Sequence, residues 1–273
     1  MKRTLAIVAH NALVAAIAVV VVAPLVWMVG ASLMPRGEAQ AFPPPLWPEH
    51  PTGAHYRELF SRLQLGRYFL NSTGIALAIT CSALTLNAMA GYAFAKLPFR
   101  GRRRILQLLL VALVVPLQVG MLPLFLLLKQ FGVINTYWAV ILPSMATIYG
   151  TFLVRQYALS IPDSLLDAAR MDGAGELRIF FFIVLPLLRP VLVTLGIFTF
   201  LAAWNDFMWP LIVLTGSERY TLPVALAILS GEHVQDAELM MAGAVVTVAP
   251  VLVLFAILQR QLIGGIMLGG VKG

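Results

Sequence analysis

Long apolar runs dominate the sequence, and short polar connections separate them. Six runs each reach about 20 residues, the length that crosses a bilayer as an α-helix. They are Leu5–Leu33, Tyr68–Phe94, Ile105–Leu128, Ile134–Val154, Leu187–Leu214 and Leu239–Leu258. We therefore predict an all-α integral membrane protein with six transmembrane helices and no strands. Prolines inside the runs are expected to kink the helices.

Composition narrows the class of protein further. Hydrophobic residues make up 60% of the chain and charged residues only 11%, too few for the polar surface of a soluble globule. Cys81 is the only cysteine, which excludes an intrachain disulfide and a cysteine-based metal site. The first run follows Lys2 and Arg3 but is longer than the apolar core of a signal peptide, about 7–15 residues. It is predicted to remain as a span.

The distribution of positive charge predicts the orientation. With each Lys and Arg assigned to its nearest connection, 13 of the 19 fall on one side of the membrane and six on the other. Because the side richer in Lys and Arg faces the cytoplasm, both termini are predicted to be cytoplasmic. The connection between the fourth and fifth runs falls on the same side.

That connection, residues 160–186, contains a polar stretch unlike its neighbours: DAARMDGAGELRIFFFIVLP, from Asp167 to Pro186. Ser160 or Asp163 is predicted to cap a helix that begins near Pro162. A small apolar face on this helix follows from four residues: Leu165, Leu166, Ala168 and Ala169. The simpler interpretation of this stretch is a hairpin exposed to solvent, and the alternative is a surface that binds a partner protein.

The end of this helix is also marked in the sequence. Asp167 and Arg170 lie three residues apart, close enough to form an ion pair. Gly173 follows Asp172 at the point where a left-handed closing residue is usual, which predicts a sharp turn. A second helical piece is expected from Glu176 onward.

The spacing within this connection resembles the EAA loop of ATP-binding cassette importer permeases. The shared pattern is Asp167-Ala168-Ala169, two residues, Asp172-Gly173, nine residues, then Ile-Val-Leu-Pro, with Asp167 where the consensus carries Glu. In that family the loop is a coupling helix that docks in a cleft of a separate cytoplasmic ATPase. The resemblance implies ATPase docking by six residues: Asp167, Ala168, Ala169, Asp172, Gly173 and Ala174.

Other phrases extend the resemblance over nearly the whole chain. YFLNSTGIALAIT, AGYAFAKLPFRGRR, FGVINTYWAVILP, WNDFMWPLIVL and GGVKG are similar, in order and spacing, to the smaller six-span subunit of maltose-type carbohydrate importers. This resemblance implies the type I importer permease fold and a bacterial or archaeal plasma membrane, the inner membrane in a Gram-negative cell. It also implies a heterodimer with a second permease, two copies of an ATPase that bind ATP and Mg, and an extracytoplasmic sugar-binding protein.

Motifs for catalysis are missing from the sequence. GxxxxGK[ST], HExxH and GxSxG do not occur, so we expect no enzymatic active site, no metal site and no cofactor in this chain, and no nucleic acid partner. The rival class is an ion-coupled secondary carrier or channel, but Asp206 is the only acid well inside an apolar run. The chain is therefore interpreted as a sugar-importer permease subunit.

A polar interruption in the fifth run is the candidate substrate path. Trp204, Asn205 and Asp206 offer an aromatic face and hydrogen-bonding groups suited to a sugar. The alternative is that Trp204 and Trp209 form an interfacial belt, while Asp206 satisfies helix ends or the second permease. The resemblance to carbohydrate importers implies a substrate that is a mono-, di- or oligosaccharide, a polyol or a sugar phosphate.

The predicted organisation has three parts. Residues 1–66 form the first span and an external loop, residues 67–259 form the permease core with five spans, and residues 260–273 form a glycine-rich cytoplasmic tail. By position, the external connection Thr215–Glu238 corresponds to the loop that reaches toward the binding protein in the resembling family. Its alternative is an ordinary exposed loop.

Overall fold

A computed structural model describes residues 2–232 and 236–270 of the 273 residues, with side chains for 7–231 and 236–259. Every regular element in these residues is helical, as predicted. The helices are α1 (Lys2–Ala31), α2 (Ala54–Ser61), α3 (Leu65–Lys96), α4 (Arg102–Ala112), α5 (Leu117–Gln130), α6 (Tyr137–Ser144), α7 (Ile148–Ala158), α8 (Asp163–Met171), α9 (Glu176–Ile179), α10 (Leu185–Leu187), α11 (Arg189–Trp204), α12 (Met208–Val213), α13 (Leu222–Glu232) and α14 (Ala237–Gly270). Short turns of other helix types occur at Glu38–Gln40, Phe180–Val184 and Ser217–Arg219.

Four helical segments of the described chain are long and apolar enough to cross a membrane. They are Ile7–Ala31, Leu65–Lys96, Tyr137–Ala158 and Ala237–Gln259. The number rises to six if each of two bent helix pairs is one span. Four of the predicted runs thus overlap a helical segment of spanning length, and the third and fifth runs are bent.

The third run breaks at a proline. Helices α4 and α5 meet at 106°, with Pro116 in extended backbone immediately before α5. Proline has no N–H to continue the helical bonding, and its ring clashes with the preceding turn. The predicted kink is therefore a complete break, whereas Pro123 is accommodated inside α5.

The fifth run is also not one helix. A 77° bend separates Glu176–Leu187 from α11, and α11 ends at Trp204. The short helix α12 begins only at Met208. The prediction of a continuous helix over Leu187–Leu214 is wrong, because the polar pair after Trp204 satisfies backbone groups at a helix end.

A buried amide supports the break between α6 and α7. Asn87, on α3, is fully buried, and its Oδ1 accepts hydrogen bonds from Thr147 N (3.0 Å) and Thr151 Oγ1 (3.1 Å). Thr147 in turn caps α7 by accepting from the N–H of Gly150 (3.0 Å). An unpaired backbone group in a bilayer is costly, and Asn87 removes one at this break.

The chain divides into two compact units, residues 1–67 with 222–253, and residues 68–221 with 254–273. In the first unit, α13 lies within the predicted connection Thr215–Glu238 and spans its residues Leu222–Glu232. Its Leu222, Val224 and Leu229 are buried, so the alternative of an ordinary exposed loop does not describe Leu222–Glu232. Residues 233–235 of the same connection lie outside the described residues.

The connection after α1 is fastened to the start of α14 within this first unit. The buried carboxylate of Glu238 accepts a hydrogen bond from Ala39 N (2.8 Å). Arg36 pairs with Asp236 (3.0 Å) and with Glu58. These contacts fix a polar connection that sequence periodicity does not reveal.

The last helix continues past the boundary predicted for the tail. Helix α14 extends to Gly270, so residues 260–270 belong to it rather than to a separate segment. Its length shows that glycines at the end of an established helix do not by themselves stop it. Residues 271–273 of the predicted tail lie outside the described residues.

The second unit has a hydrophobic core that underlies the polar connection. Buried side chains of α3, α7, α8 and α11 meet there with those of the segment after Gly175. Members include Tyr92, Val154, Leu166, Phe180 and Leu195. The polar connection is therefore built on packed side chains and not suspended in solvent.

Candidate functional site: the α8–α9 hairpin

Helix α8 ends in a motif that reverses the chain direction. Gly173 has φ +79°, in the left-handed region. Its N–H donates to Arg170 O (3.0 Å), and the N–H of Ala174 donates to Ala169 O (3.0 Å). These two bonds define a Schellman motif, and the predicted closing role of Gly173 is confirmed.

The predicted cap at the start of α8 is wrong. Pro162 occupies the capping position and makes no side-chain cap bond. The hydroxyl of Ser160 donates to Tyr157 O (2.7 Å), and the carboxylate of Asp163 accepts from Lys96 Nζ (2.7 Å). Both candidate caps are therefore engaged elsewhere, and the helix starts on the fixed φ of proline.

Lys96 secures the N-terminal end of the hairpin. Its side chain is nearly buried, and Nζ also donates to the carbonyl of Ile161 (2.6 Å). The hydrogen bond from Lys96 holds the pKa of Asp163 below its usual value. The C-terminal end of α3 is thus linked to the first turn of α8.

Arg170 joins the two helices of the hairpin. Its Nη1 donates to Asp167 Oδ1 (2.8 Å), which confirms the predicted pair, and its Nε donates to Glu176 Oε1 (2.8 Å) on α9. The hydrogen bonds to Glu176 and then Asp167 raise the pKa of Arg170, so it stays charged. Glu176 Oε2 also accepts from the hydroxyl of Tyr92 (2.9 Å), which ties the hairpin to α3.

The six predicted docking residues fall into two groups. Ala169 and Ala174 are half-buried against the core, beside Leu166, which is 1% exposed. Asp167, Ala168, Asp172 and Gly173 are exposed. The first pair therefore holds the hairpin in place, and the remaining four are available to a partner.

The exposed side of α8 presents both polar and apolar side chains. Ser164, Asp167, Ala168 and Met171 lie at helical spacings that place them on one face, opposite Leu166. We name these four residues the outer face. Met171 is 88% exposed, and an apolar side chain this exposed on an anchored helix is typical of a contact surface.

The candidate substrate path has a different geometry from the one expected. Trp204 is 1% exposed, because it stacks on Phe200 (centroids 5.9 Å apart) and meets the edge of Phe69 (5.5 Å). Asn205 Nδ2 donates to Leu201 O (2.8 Å), and Asp206 Oδ1 accepts from the N–H of Trp209 (3.4 Å). The polar pair satisfies the end of α11 and the start of α12, as the alternative interpretation proposed for Asp206.

Trp209 is not a belt residue at a lipid surface. Its ring is buried, and its Nε1 donates to the carbonyl of Ala139 (2.9 Å). Together with the burial of Trp204, this contradicts the interfacial-belt interpretation for both tryptophans. Of Trp204, Asn205 and Asp206, only Asn205 is exposed.

Sequence reasoning missed a second polar cluster in this unit. Asn135 has φ +58° and accepts through Oδ1 from the N–H groups of Thr215 (3.0 Å) and Gly216 (2.8 Å). Asn71 donates to the carbonyls of Glu218 (3.1 Å) and Tyr220 (3.0 Å). The only available signal was the phrase FGVIN, in which Asn is the non-glycine residue most suited to positive φ.

Among the side chains described, no group of three or more His, Cys, Asp or Glu residues is arranged to hold a metal ion. The hydrogen bonds and ion pairs of the hairpin instead hold it in a fixed position, as is typical of an element that binds a partner. Its ends are tied to α3, and no side chain described elsewhere in the chain buries its outer face.

The hairpin and the helical architecture define an importer permease. The chain belongs to the family of binding-protein-dependent transport system inner membrane components, whose model matches residues 87–266. The matched range includes the whole hairpin. The chain is therefore a permease subunit of an ATP-binding cassette importer and not itself an enzyme.

Relatives place it among permeases of sugar transport systems. It is 43% identical over 206 residues to the arabinooligosaccharides transport system permease protein of Halalkalibacterium halodurans, covering 76% of this chain and 74% of the relative. It is 34% identical over 278 residues to the galactooligosaccharides transport system permease protein of Bacillus subtilis, covering 100% and 98%.

A solved structure shares the fold. A chain of a bacterial ABC transporter involved in the import of the acidic polysaccharide alginate superposes with a TM-score of 0.82. The match covers 94% of this chain and 96% of that one, at 23% identity. This likeness establishes the permease fold.

Proposed function

We propose that this chain is the six-span permease subunit of an ATP-driven carbohydrate importer, with both termini in the cytoplasm. The 13-to-six distribution of Lys and Arg supports this orientation. The names of its relatives support a sugar as the substrate, and two of these relatives belong to oligosaccharide transport systems. Family membership does not favour the ion-coupled carrier or channel.

The hairpin is proposed to dock on the ATPase of the transporter. The observation that carries this proposal is the outer face, which is exposed on a helix fixed by Lys96, Arg170 and the buried Leu166. A helix held this firmly binds a partner at a lower entropic cost, because its residues are already ordered within the chain. Two ATPase copies, which bind ATP and Mg, act on this chain and on a second permease.

The remaining partners follow from the same assembly. A second permease completes the translocation path, and an extracytoplasmic sugar-binding protein delivers the substrate. We propose that Asn205 and Asp206 lie beside this path, with Trp204 supporting the bend behind them. Asn205 is the exposed member and has a carbonyl oxygen available to a sugar hydroxyl.

Arginine placed on the outer face tests the docking. Ala168→Arg adds a long charged side chain at an exposed position, so the permease folds but the partner's cleft is obstructed. The matched control is Ala54→Arg, the same substitution at an exposed residue at the start of α2. Co-purification of the co-expressed ATPase measures the effect.

We expect the two variants to differ in how much ATPase co-purifies with them. Ala168→Arg reaches the membrane at normal abundance and loses the ATPase, while Ala54→Arg retains it. Full ATPase retention by Ala168→Arg would show that the outer face is solvated and that the hairpin is not the docking element.

A further inference from the structure

An apolar segment in the connection after α1 has no cover within the described chain. Phe42–Trp47 reads FPPPLW, and we name it the FPPPLW segment. Phe42 is 99% exposed, Leu46 82% and Trp47 56%. A cluster of large exposed apolar side chains is a binding surface, and its position in the fold indicates the partner.

The segment lies along the C-terminal turns of α1. Trp27 Nε1 donates to the carbonyl of Pro45 (3.1 Å). At Gly30, an added Cβ would stand 3.2 Å from Leu46 O and 3.3 Å from the Trp47 ring, so the absence of a side chain permits the close approach. The segment is therefore attached to the helix and does not extend away from it.

Leu46 continues the apolar surface of the span. A shallow cavity of about 490 Å³ is lined by Leu46 and by α1 residues between Ala18 and Trp27. None of the residues in the most apolar 18-residue stretch of α1 is buried by the described part of the chain. In a membrane protein such a surface faces lipid or another membrane helix, and Leu46 is continuous with it.

The depth of the segment follows from the length of α1. Its span Ile7–Ala31 has 25 residues, or about 37 Å at about 1.5 Å per residue, against a hydrocarbon core of about 30 Å. Centred on Val19, that core ends near residue 29. Trp27 then lies just inside the hydrocarbon and Gly30 just outside it, so Pro45, Leu46 and Trp47 are at the boundary.

The backbone of the segment is suited to this position. Three consecutive prolines have no N–H groups, so few donors need a partner away from water. The carbonyl of Pro45 is already bonded to Trp27. After the segment, polar side chains return only at Glu49 and His50, which places the polar part of the connection toward water.

We propose that the FPPPLW segment inserts into the lipid bilayer at the boundary between headgroups and acyl chains, beside the C-terminal end of α1. In the proposed orientation this is the outer leaflet. Phe42 and Leu46 enter the acyl region, and Trp47 lies at the headgroup level that tryptophan favours. The partner of this surface is lipid and not a second protein.

Nitroxide labels test the insertion in the assembled transporter. Single cysteines replace Phe42 and Leu46 in a Cys81→Ser background, with Gly53→Cys as the control from the same connection. Both test positions are exposed, and Gly53 has no atom within 4 Å of an added Cβ, so all three labels are tolerated. The transporter is reconstituted in liposomes of phosphatidylethanolamine and phosphatidylglycerol.

Collision rates with oxygen and with a water-soluble nickel chelate report the surroundings of each label. We expect labels at Phe42 and Leu46 to be severalfold more accessible to oxygen than to the chelate, and the label at Gly53 to show the reverse. Labels at Phe42 and Leu46 that favour the chelate would place the segment in water. Shielding from both reagents would mean that a protein partner covers it, and either result overturns the proposal.

Discussion

Gly173→Val isolates the direction of α8 from the rest of the fold. At φ +79° a β-branched side chain is strained, although no atom lies within 4 Å of an added Cβ. The cost is therefore carried by the backbone and is about 1–3 kcal/mol. It is relieved if the turn opens, which removes the two Schellman bonds and turns α8 away from Glu176.

This cost translates into a measurable loss of docking. A coupling free energy of about 1–3 kcal/mol corresponds to about a 5- to 150-fold change in equilibrium. Helices α3 and α11 do not depend on the turn, so the variant inserts at wild-type abundance. We expect it to retain less ATPase on co-purification and to lose binding-protein-stimulated ATP hydrolysis in liposomes.

Gly175→Val is the matched control for that experiment. Gly175 lies two residues away at φ −72°, and no atom lies within 4 Å of an added Cβ. Valine there is compatible with the backbone, so docking and ATP hydrolysis should stay close to wild type. Equal activity of the two variants, both with full ATPase retention, would refute the assignment of coupling to this turn.

Three further predictions follow from the same structure. In a cysteine-free background, a cysteine at Gly175 is shielded from an impermeant thiol reagent in intact cells and one at Gly53 is labelled; labelling at Gly175 would reverse the orientation. At equal membrane abundance, Asp206→Leu lowers transport more than Asp206→Asn, because Asn keeps the bond to the start of α12; wild-type transport by both would remove the residue from the path. The hydrogen bond from Lys96 lowers the pKa of Asp163 in the folded protein below its ordinary value. The pair therefore contributes stability in full at pH values above that ordinary pKa, and the contribution is lost as the pH falls through the folded pKa. Asp163→Asn should therefore accelerate hydrogen exchange in α8 at neutral pH, and unchanged exchange would show that the pair does not anchor the helix.

Features encoded by local spacing were predictable from the sequence. The closing role of Gly173 and the pair between Asp167 and Arg170 involve residues at most a few positions apart. The helical class followed from apolar runs long enough to span a bilayer. Pro116 also marked a discontinuity, although its 106° bend exceeds the predicted kink.

Features that depend on distant partners were not predictable. Asn87 supports a helix break 60 residues away, and nothing in its neighbours signals this role. Ser160 and Asp163 fit a local capping rule, but the wider fold engages both elsewhere. The prediction for α13 failed for a different reason. Its apolar run from Leu222 was visible in the sequence but was interpreted as part of a loop.

The central claim, that ATP hydrolysis in a partner drives this permease, is tested most directly by uptake into proteoliposomes. The permease pair and ATPase are reconstituted with ATP enclosed, and the cognate binding protein and labelled sugar are added outside. We predict uptake that requires both ATP and the binding protein and that persists when the proton gradient is collapsed. Uptake that proceeds without ATP and follows an imposed proton gradient would contradict the account.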